Sequence, residues 1–369
     1  MQEELVPVRE NLKSYLIEMF GLIKKYNKIL HLSFFLFFSF FTDTVYSQIK
    51  RADDTFVTAE QIDKFLDRKI DSLEITGISL AVINDGKVVY YRVSGVKDIV
   101  TGDKVDSNTL FEAASMTKPV FAYTVIRLTD KGLIDLDRPL YKYFTYQDIK
   151  NDPRHKQVTA RMVLSHMTGL PNWRPKGEKL VFESDPGSKY LYSGEAFEYL
   201  GYVVEKITGE RAESVISKEV FVKNDIKTSF FTDNDYLRAN ASVGHTDGKV
   251  SGHKELDRAW VSYGMRTEAR DYSKFIIMMM KESLEENSTF NKMALPQIKV
   301  DDNTTACLGI RLSNTPYGPK YFHSGNNGNR FQSYFEFYRD SQTGFVFFIN
   351  CNRGKELTKE LLTFIGPDR

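Results

Sequence analysis

The sequence predicts an α+β fold, an α/β sandwich whose antiparallel sheet is built from both ends of the chain. Two observations lead to this fold class. Runs of β-branched and aromatic residues typical of strands lie toward both ends, and apolar residues at helical spacing fill the middle. Such an order is typical of one sheet that the two ends complete, flanked by helices and packed beside a mainly helical subdomain. Residues from distant segments then meet in the cleft between the sheet and the helices.

The first predicted element is a hairpin toward the N-terminal end. Residues 78–93 contain two runs rich in β-branched residues on either side of Asp85-Gly86. An Asp-Gly pair in this setting predicts a tight turn, because the turn requires residues that tolerate a positive φ. We therefore expect two antiparallel strands here.

The middle of the chain carries the predicted helices. Apolar residues recur at helical spacing in segments 120–130, 196–208 and 271–281. The first segment is followed by a Lys-Gly pair, and a glycine just beyond the last apolar position predicts a helix end. The helical part is therefore expected at about residues 111–299, and the sheet part at about 49–110 and 300–369.

The predicted sheet is completed toward the C-terminal end. Segments 333–339 and 344–350 are strand-like and flank a polar stretch, so they predict a second hairpin. Residues 307–312 form a further candidate strand. Residues 355–365 have apolar positions at helical spacing and predict a final helix.

The composition limits the classes of partner and cofactor. The 369 residues include 50 Lys and Arg against 49 Asp and Glu, a formal net charge of +1. This balance gives no electrostatic reason to expect nucleic acid or an anionic membrane as a partner. Cys307 and Cys351 lie in apolar stretches where a buried thiol is expected, although export would permit a disulfide. Neither they nor the six histidines form a ligand-spaced cluster, so no metal and no cofactor is predicted.

Residues 1–48 are predicted to be an N-terminal extension that contains a signal peptide. Lysines at 24, 25 and 28 precede an apolar run at 29–41, and Val45 and Ser47 then stand at the −3 and −1 positions of a plausible cleavage site. The run is shorter than the roughly 20 residues that a membrane-spanning helix needs. We therefore expect cleavage near Ser47 and a secreted or periplasmic protein without a stable membrane span. An uncleaved anchor and a start at Met19 stay open as alternatives.

A serine and a lysine three residues apart, Ser115 and Lys118, stand at the start of the first predicted helix. Other Ser-x-x-Lys matches begin at Ser47, Ser94 and Ser251, but they lie at the cleavage site, after a strand and in a polar loop. At a helix start the serine N–H lacks an intrahelical partner and meets the positive end of the helix dipole. The lysine projects from the same face, where partial desolvation would let it accept the serine's proton. On this pattern alone, a serine N-cap followed by a solvated lysine is an equally good interpretation.

Further motifs follow in a defined order along the chain. They are FEAASMTK at 111–118, LSHMTGLP at 164–171, DPGSKYLYSG at 185–194, segments 200–209 and 264–275, and HSG at 323–325. This ordered set resembles the penicillin-recognising serine hydrolases, which include class C β-lactamases, D-alanyl-D-alanine carboxypeptidases, D-aminopeptidases and related esterases. One such motif is a weak signal, whereas the set in order is a strong one. The resemblance implies a β-lactamase/transpeptidase-like fold over residues 49–369.

The resemblance also implies a role for individual residues. Ser115 would be the nucleophile that is acylated and Lys118 its activating partner. Tyr192 would share the proton transfer, with the lysine ammonium nearby. The oxyanion hole would use the backbone N–H groups of Ser115 and Asn326, and each donor of this kind lowers a barrier by about 3 kcal/mol.

Two positions depart from the family pattern, and both concern substrate binding. The second motif ends in Gly194, where β-lactamases and carboxypeptidases usually have Asn, so a carboxamide for the lysine and the substrate is lost. The last motif begins with His323, where Lys is usual, and an imidazole is mostly neutral near pH 7. The small residues Ser324 and Gly325 would still let a substrate lie alongside as an added strand. Arg330 is a candidate for the missing cation, and a structural arginine is an equally good interpretation.

Together these features predict an exported serine hydrolase that cleaves an amide or an ester through an acyl-enzyme. The expected partner is a small molecule or peptide, namely a D-amino-acid peptide, an acyl ester or, less efficiently, a β-lactam. A penicillin-binding cell-wall protein with slow turnover, a class C-like β-lactamase and a binding module without turnover stay open as alternatives. Loops at 173–182 and 233–256 are expected to form the pocket walls. The sequence does not indicate the natural substrate or the oligomeric state.

Overall fold

The structure is a computed structural model that describes residues 15, 17–22, 24, 48–252 and 256–366. The chain divides into two units, Met1–Gln48 and Ile49–Arg369, and the large sheet with its helices belongs to the second. The apolar run at 29–41 and the cleavage site at Ser47 lie outside the described residues, so the signal peptide stays a prediction. Within the described part, no helix has the length and apolar character to cross a membrane.

The strands of the second unit fall at both of its ends and in its middle. They are β1 (Gln48–Lys50), β2 (Phe56–Thr58), β3 (Gly77–Asn84), β4 (Lys87–Gly95), β5 (Phe111–Glu112), β6 (Gly244–Thr246), β7 (Lys249–Gly252), β8 (Arg266–Thr267), β9 (Ile298–Lys299), β10 (Thr305–Ala306), β11 (Arg311–Thr315), β12 (Gly318–Asn327), β13 (Phe331–Tyr338) and β14 (Thr343–Ile349). Eight of them form one sheet in the order β4-β3-β14-β13-β12-β11-β10-β9. The others pair as β1-β2, β5-β8 and β6-β7.

The large sheet joins the two ends of the unit, as the sequence predicts. β3 pairs antiparallel with β14, with Ile78 opposite Ile349. The hairpin of β3 and β4 turns at Asp85-Gly86, whose φ angles of 48° and 71° are the positive values that this turn needs. The hairpin of β13 and β14 also forms. The predicted α+β class and the antiparallel sheet built from both ends are therefore confirmed.

The helices lie between these strands and after them. They are α1 (Ala59–Ser72), α2 (Thr117–Asp130), α3 (Ala160–Leu164), α4 (Gly194–Thr208), α5 (Ala212–Ile216), α6 (Asp235–Asn240), α7 (Ala269–Glu282), α8 (Thr289–Met293) and α9 (Gly354–Phe364). Short 3-10 turns occur at Ala114–Met116, Leu140–Lys142, Pro153–Lys156 and Val222–Asn224, and a π-turn at Ser217–Phe221. The helices predicted at 120–130, 196–208, 271–281 and 355–365 correspond to α2, α4, α7 and α9.

Both faces of the large sheet are covered by helices. Successive side chains of a strand point to opposite faces, so neighbouring residues of β3 contact different helices. Leu80 and Val82 of β3 share a hydrophobic cluster with α1 and α9. Ala81 and Ile83 share the other cluster with α2, α4 and α7. This second layer of helices carries the candidate site.

The strand predicted at 307–312 is wrong over most of its length. β10 ends at Ala306 and β11 begins at Arg311, with a bend between them. Gly309 in this bend has a φ of 79°, and its N–H donates to the carbonyl of Leu164 at 2.7 Å. The bend is therefore held by a hydrogen bond to a distant segment, and strand propensity does not predict such a contact.

The two cysteines are buried free thiols, as expected from their apolar surroundings. Burial raises the pKa of Cys307 to about 12 and also raises the pKa of Cys351.

Candidate active site

Ser115 lies in the 3-10 turn Ala114–Met116, immediately before α2. The residue before it, Ala114, has a φ of 51°, which is unfavourable for a residue with a Cβ. Flanking contacts hold this conformation, since the carbonyl of Ala113 accepts a hydrogen bond from Ser333 Oγ at 2.8 Å. A strained backbone held by its surroundings is frequent at functional sites.

Gly325 of β12 lets this turn approach the sheet. A Cβ at that position would lie 2.5 Å from the carbonyl oxygen of Ala113 and 2.3 Å from Ser333 Oγ. No side chain larger than hydrogen fits there without a shift. As a result, Ser115 stands beside Asn326, the next residue of β12, and both residues line the same two cavities.

The end of β12 that faces the site is open along one side. β11 pairs with β12 only between Gly318 and Phe322. Over residues 323–327, the described part of the chain contributes no strand to that side. Ser324 and Asn326 are exposed there, whereas His323 and Gly325 are buried. The arrangement has room for an added strand, which is the binding mode that the sequence predicts.

Lys118 is buried, with an exposed fraction of 1%, and its ammonium lies at the serine. Nζ donates to Ser115 Oγ at 3.2 Å and to the carbonyl of Ser262 at 2.7 Å. The ring centroids of Tyr192 and Phe197 lie 4.8 Å and 5.4 Å from Nζ. The structure thus brings Ser115, Lys118 and Tyr192 together, and the ammonium contacts the face of the tyrosine ring.

His166 packs behind the tyrosine. Its ring centroid is 4.2 Å from that of Tyr192, and Nδ1 accepts the Ser193 N–H at 3.1 Å. Burial lowers the pKa of His166 well below its usual range, and the positive charges of Lys118 and Arg311 lower it further. His166 is therefore a neutral imidazole that supports the tyrosine.

His323 is likewise buried and neutral. Its Nδ1 donates to the carbonyl of Ser324 at 2.9 Å. Burial lowers the pKa of His323 well below its usual range, followed by the positive charges of Arg311 and Lys118. The permanent cation beside it is Arg311, whose Nη2 donates to Tyr190 Oη at 3.3 Å. Arg311 lines the same cavity as His323.

Arg330 lies on the other side of the site. It lines the larger cavity, whereas His323 lines the smaller one. Its Nη2 is 3.9 Å from Glu112 Oε1, and Nη1 donates to the carbonyl of Ser251 at 3.4 Å. Glu112 also pairs with the buried Arg266 at 3.2 Å. Arg330 thus contacts Glu112 and Ser251 and also lines the larger cavity, so its role as a substrate cation stays a prediction.

Gly194 is the first residue of α4 and has an indole against it. A Cβ at this position would lie 2.6 Å from Cζ2 of Trp173. The Gly194 N–H donates to Asn172 Oδ1 at 3.1 Å. The structure thus has an indole in the space of the missing side chain and another carboxamide, that of Asn172, beside the helix start.

Two cavities meet at Ser115 and share Asn172, Trp173 and Asn326 in their walls. The larger, of about 800 Å³, has aromatic walls that include Trp260 and Tyr263. The smaller, of about 490 Å³, is lined by a cation, an imidazole and a phenol, those of Arg311, His323 and Tyr192. The expected wall at 173–182 is present through Trp173. The described residues of 233–256 line neither of these two cavities, which corrects that expectation.

Residues 62–366 match the family model described as Beta-lactamase. The chain belongs to the Beta-lactamase family. The match covers both the sheet and the helical part, and it confirms the resemblance that the ordered motifs indicate.

Relatives of this Beta-lactamase family member include an esterase. Esterase EstB of Burkholderia gladioli is 29% identical over 181 residues, which are 41% of this chain and 46% of EstB. Protein flp of Staphylococcus aureus (strain MW2) is 19% identical over 203 residues, which are 50% of this chain and 41% of that protein. The chain thus matches less than half the length of either of these curated relatives. The family and the esterase relative support a serine hydrolase in general.

A solved structure shares the fold of this Beta-lactamase family member. It is the octameric penicillin-binding protein homologue from Pyrococcus abyssi, with a TM-score of 0.71 and 20% identity. The likeness covers 82% of this chain and 76% of that chain. It shows the fold, including the sheet flanked by helices.

The sequence motifs do not mark three residues that line the site. Arg311 lies outside the family motifs and reaches the neighbourhood of His323 because it begins β11 opposite Phe322. Asn172 directly follows the LSHMTGLP motif, and this position is the one feature of the sequence that could have indicated a place at the site. Glu198, a buried carboxylate in the wall of the larger cavity, lies on the apolar side of α4, where a charged residue is itself a signal.

Proposed function

We propose that the protein is an exported serine hydrolase that cleaves an amide or an ester through an acyl-enzyme on Ser115. One observation carries the proposal: Nζ of the buried Lys118 lies 3.2 Å from Ser115 Oγ, against the ring of Tyr192. A nucleophile and a proton acceptor within hydrogen-bond distance are the minimum for covalent catalysis by serine.

The proposed reaction has two halves. In acylation, Ser115 Oγ attacks the substrate carbonyl carbon while its proton passes to the pair of Lys118 and Tyr192, which enters the step with one group deprotonated, as the Lys118 amine or the Tyr192 phenolate. The oxyanion accepts hydrogen bonds from the N–H groups of Ser115 and Asn326. The carbonyl then re-forms, the bond to the leaving group breaks, and the leaving group takes the proton. In deacylation, water attacks the ester carbonyl carbon and gives a proton to the same pair. The bond to Ser115 Oγ then breaks, Oγ takes that proton back, and the acid is released.

The walls of the site support a substrate class. Arg311 supplies a permanent cation to the smaller cavity, which favours a substrate with a carboxylate on that side. The larger cavity combines aromatic side chains with charged ones, among them Asp148, Arg174 and Glu195, so it suits a group that has both apolar and polar parts. A D-amino-acid peptide and a small acyl ester are the leading candidates. We expect only weak β-lactam hydrolysis, because Gly194 offers no carboxamide.

Labelling with a fluorophosphonate probe tests the nucleophile. The wild-type protein is expected to react covalently at Ser115, and Ser115→Ala is expected to abolish labelling while the circular dichroism spectrum stays unchanged. Undiminished labelling of Ser115→Ala would overturn the assignment. Ser94→Ala is the matched control, because Ser94 also precedes a lysine by three residues but lies within β4.

A substrate panel tests the reaction class. It compares nitrocefin, p-nitrophenyl acyl esters and D-amino-acid p-nitroanilides. Release of many equivalents of product per protein would support a hydrolase. A burst of one equivalent without steady-state release would instead support a penicillin-binding protein with slow turnover.

Export belongs to the same proposal. It rests on the basic, apolar and small-residue stretches before Ser47. N-terminal sequencing of the secreted protein is expected to begin close to Ser47. A mature chain that still contains residue 30 would contradict cleavage at that position.

A further inference from the structure

A buried carboxylate on α4 contacts the segment that holds the lysine. Glu198 has an exposed fraction of 3% and follows Phe197, whose ring lies 5.4 Å from Lys118 Nζ. Its Oε1 accepts two hydrogen bonds from one residue, the backbone N–H of Ser262 at 3.0 Å and the hydroxyl at 2.6 Å. The carboxylate thus holds Ser262 by both its backbone and its side chain.

Ser262 passes this restraint to the lysine. Its carbonyl oxygen accepts a hydrogen bond from Lys118 Nζ at 2.7 Å, which is shorter than the 3.2 Å between Nζ and Ser115 Oγ. Hydrogen bonds to a charged donor are among the stronger ones in proteins. The orientation of the Ser262 carbonyl therefore decides where the ammonium lies relative to the nucleophile.

Stability alone gives a poor reason for a carboxylate at this position. Burial raises the pKa of Glu198, against the hydrogen bonds from Ser262 and the charges of Arg258 and Lys118. Its Oε2 is buried without a hydrogen-bond partner among the described residues, and the guanidinium of Arg258 lies 3.6 Å away. A buried carboxylate with incomplete pairing costs free energy that an apolar side chain would avoid.

We propose that Glu198 is a positioning residue which, through Ser262, holds Lys118 Nζ against Ser115 Oγ. The inference rests on the proposed function of Ser115 and Lys118. Glu198 acts as a hydrogen-bond acceptor, so glutamine, whose carbonyl accepts the same bonds, is expected to replace it in this role. Methionine has a similar volume but no such acceptor, and is expected to leave the Ser262 segment unrestrained.

Kinetics of Glu198→Met and Glu198→Gln on the best ester of the panel test the inference. A displacement of a reacting group by about 1 Å costs about 100-fold in rate, so kcat is expected to fall by about 100-fold in Glu198→Met. KM is expected to change by less than about threefold, because only 3% of Glu198 is exposed in the wall of the larger cavity. Glu198→Gln is expected to restore kcat to within about fivefold of the wild-type value. Equal kcat values in wild type and Glu198→Met would overturn the inference, as would a Glu198→Gln variant as slow as Glu198→Met.

The matched control is Glu219→Met. Glu219 is also a buried carboxylate, but it pairs with Lys131 and Lys223 away from the two cavities. Its variant is expected to keep the wild-type kcat. If Glu198→Met does not fold, Ser262→Ala replaces it. That variant removes the hydroxyl bond to Glu198, and the loss of about 1.4 kcal/mol predicts a fall of about tenfold in kcat. An unchanged kcat in Ser262→Ala would then overturn the inference.

Crystal structures separate this inference from the proposed function. If wild-type protein neither labels nor turns over any substrate, the proposed function fails, and the position of Lys118 then decides. Glu198→Met is expected to show Nζ moved out of hydrogen-bond distance of Ser115 Oγ, and Glu198→Gln to retain the wild-type position. An unmoved Nζ in Glu198→Met would overturn the positioning role whatever the activity.

Discussion

The indole of Trp173 lies against the backbone of Gly194, where a Cβ would come within 2.6 Å of the ring. The same indole meets Tyr263 edge-on, with 5.5 Å between ring centroids, and lines both cavities at Ser115. The Trp173 indole can therefore occupy its place in the walls of both cavities only because residue 194 is a glycine. A larger residue at 194 requires a different wall.

We expect Gly194→Asn to destabilise the protein by about 1–3 kcal/mol, because a side chain forced into filled space displaces its neighbours. Trp173→Ala opens that space, so the double variant Trp173→Ala/Gly194→Asn is expected to be more stable than the sum of the single changes predicts. Urea unfolding of the wild type, both single variants and the double variant measures this coupling. Strictly additive free energies would show that the indole does not restrict position 194.

Lys118→Met is expected to slow fluorophosphonate labelling of Ser115 by about 10²–10⁴-fold, the usual contribution of a positioned proton acceptor. Its free energy of unfolding is expected to fall by no more than about 1–3 kcal/mol, because the Ser262 carbonyl loses its donor while a buried charge is removed. Labelling time courses and urea unfolding measure the two effects. Lys97→Met is the control, since Lys97 follows Ser94 at the same spacing but pairs with Asp106 at 3.7 Å. Equal labelling rates in Lys118→Met and Lys97→Met would contradict the role of Lys118.

Arg311→Ala is expected to raise KM by about tenfold or more for substrates with a carboxylate next to the scissile bond, because a charge-assisted hydrogen bond contributes about 1.5–3 kcal/mol. KM for uncharged esters is expected to change little. Steady-state kinetics on paired substrates with a free or methylated carboxylate measure the difference. Arg330→Ala serves as the comparison, because Arg330 is near Glu112. A carboxylate-specific loss in Arg330→Ala and not in Arg311→Ala would exchange the two roles.

Stability is expected to fall as the pH drops below about 6.5, the ordinary pKa of histidine. Burial lowers the pKa of both His166 and His323 in the folded state, so the unfolded chain binds protons at a higher pH than the folded one. The stability from each neutral imidazole is thus fully present above pH 6.5 and is lost as the pH falls toward the folded pKa. Each contributes about 1.4 kcal/mol per pH unit in that window.

Urea unfolding between pH 7.5 and 5 measures this slope. His166→Gln and His323→Gln are each expected to make the slope shallower by about 1.4 kcal/mol per pH unit, and the double variant by about twice that. A wild-type slope retained in the double variant would mean that neither imidazole carries the effect.

Local signals explain what the sequence predicted well. The turn at Asp85-Gly86 follows from backbone preference, and α2 and α4 follow from the period of their apolar residues. The cluster of Ser115, Lys118 and Tyr192 was found because family motifs mark each residue, whatever the distance between them in the chain.

Long-range contacts explain what the sequence did not reveal. The bend before β11 depends on the hydrogen bond from Gly309 to Leu164. Arg311 reaches the site because it is the first residue of β11 and lies opposite Phe322, next to His323. The link from Glu198 to Lys118 runs through Ser262, a residue without a motif of its own. Each of these features depends on a partner remote in the sequence, which neither periodicity nor turn chemistry reports.

The seating of the Ser115 turn against Gly325 and Ser333 has a consequence for protein synthesis. The ribosome makes the serine and the lysine long before it makes the strands that support them, and β3 must also wait for β14. Domains with many non-local strand pairings fold slowly. In a chain that is made from the N-terminus, such a sheet is completed only after its C-terminal strands have been made. A nascent chain therefore carries the Ser115 turn without the strands that support it. The site is therefore expected to form only once the final strands have joined the sheet.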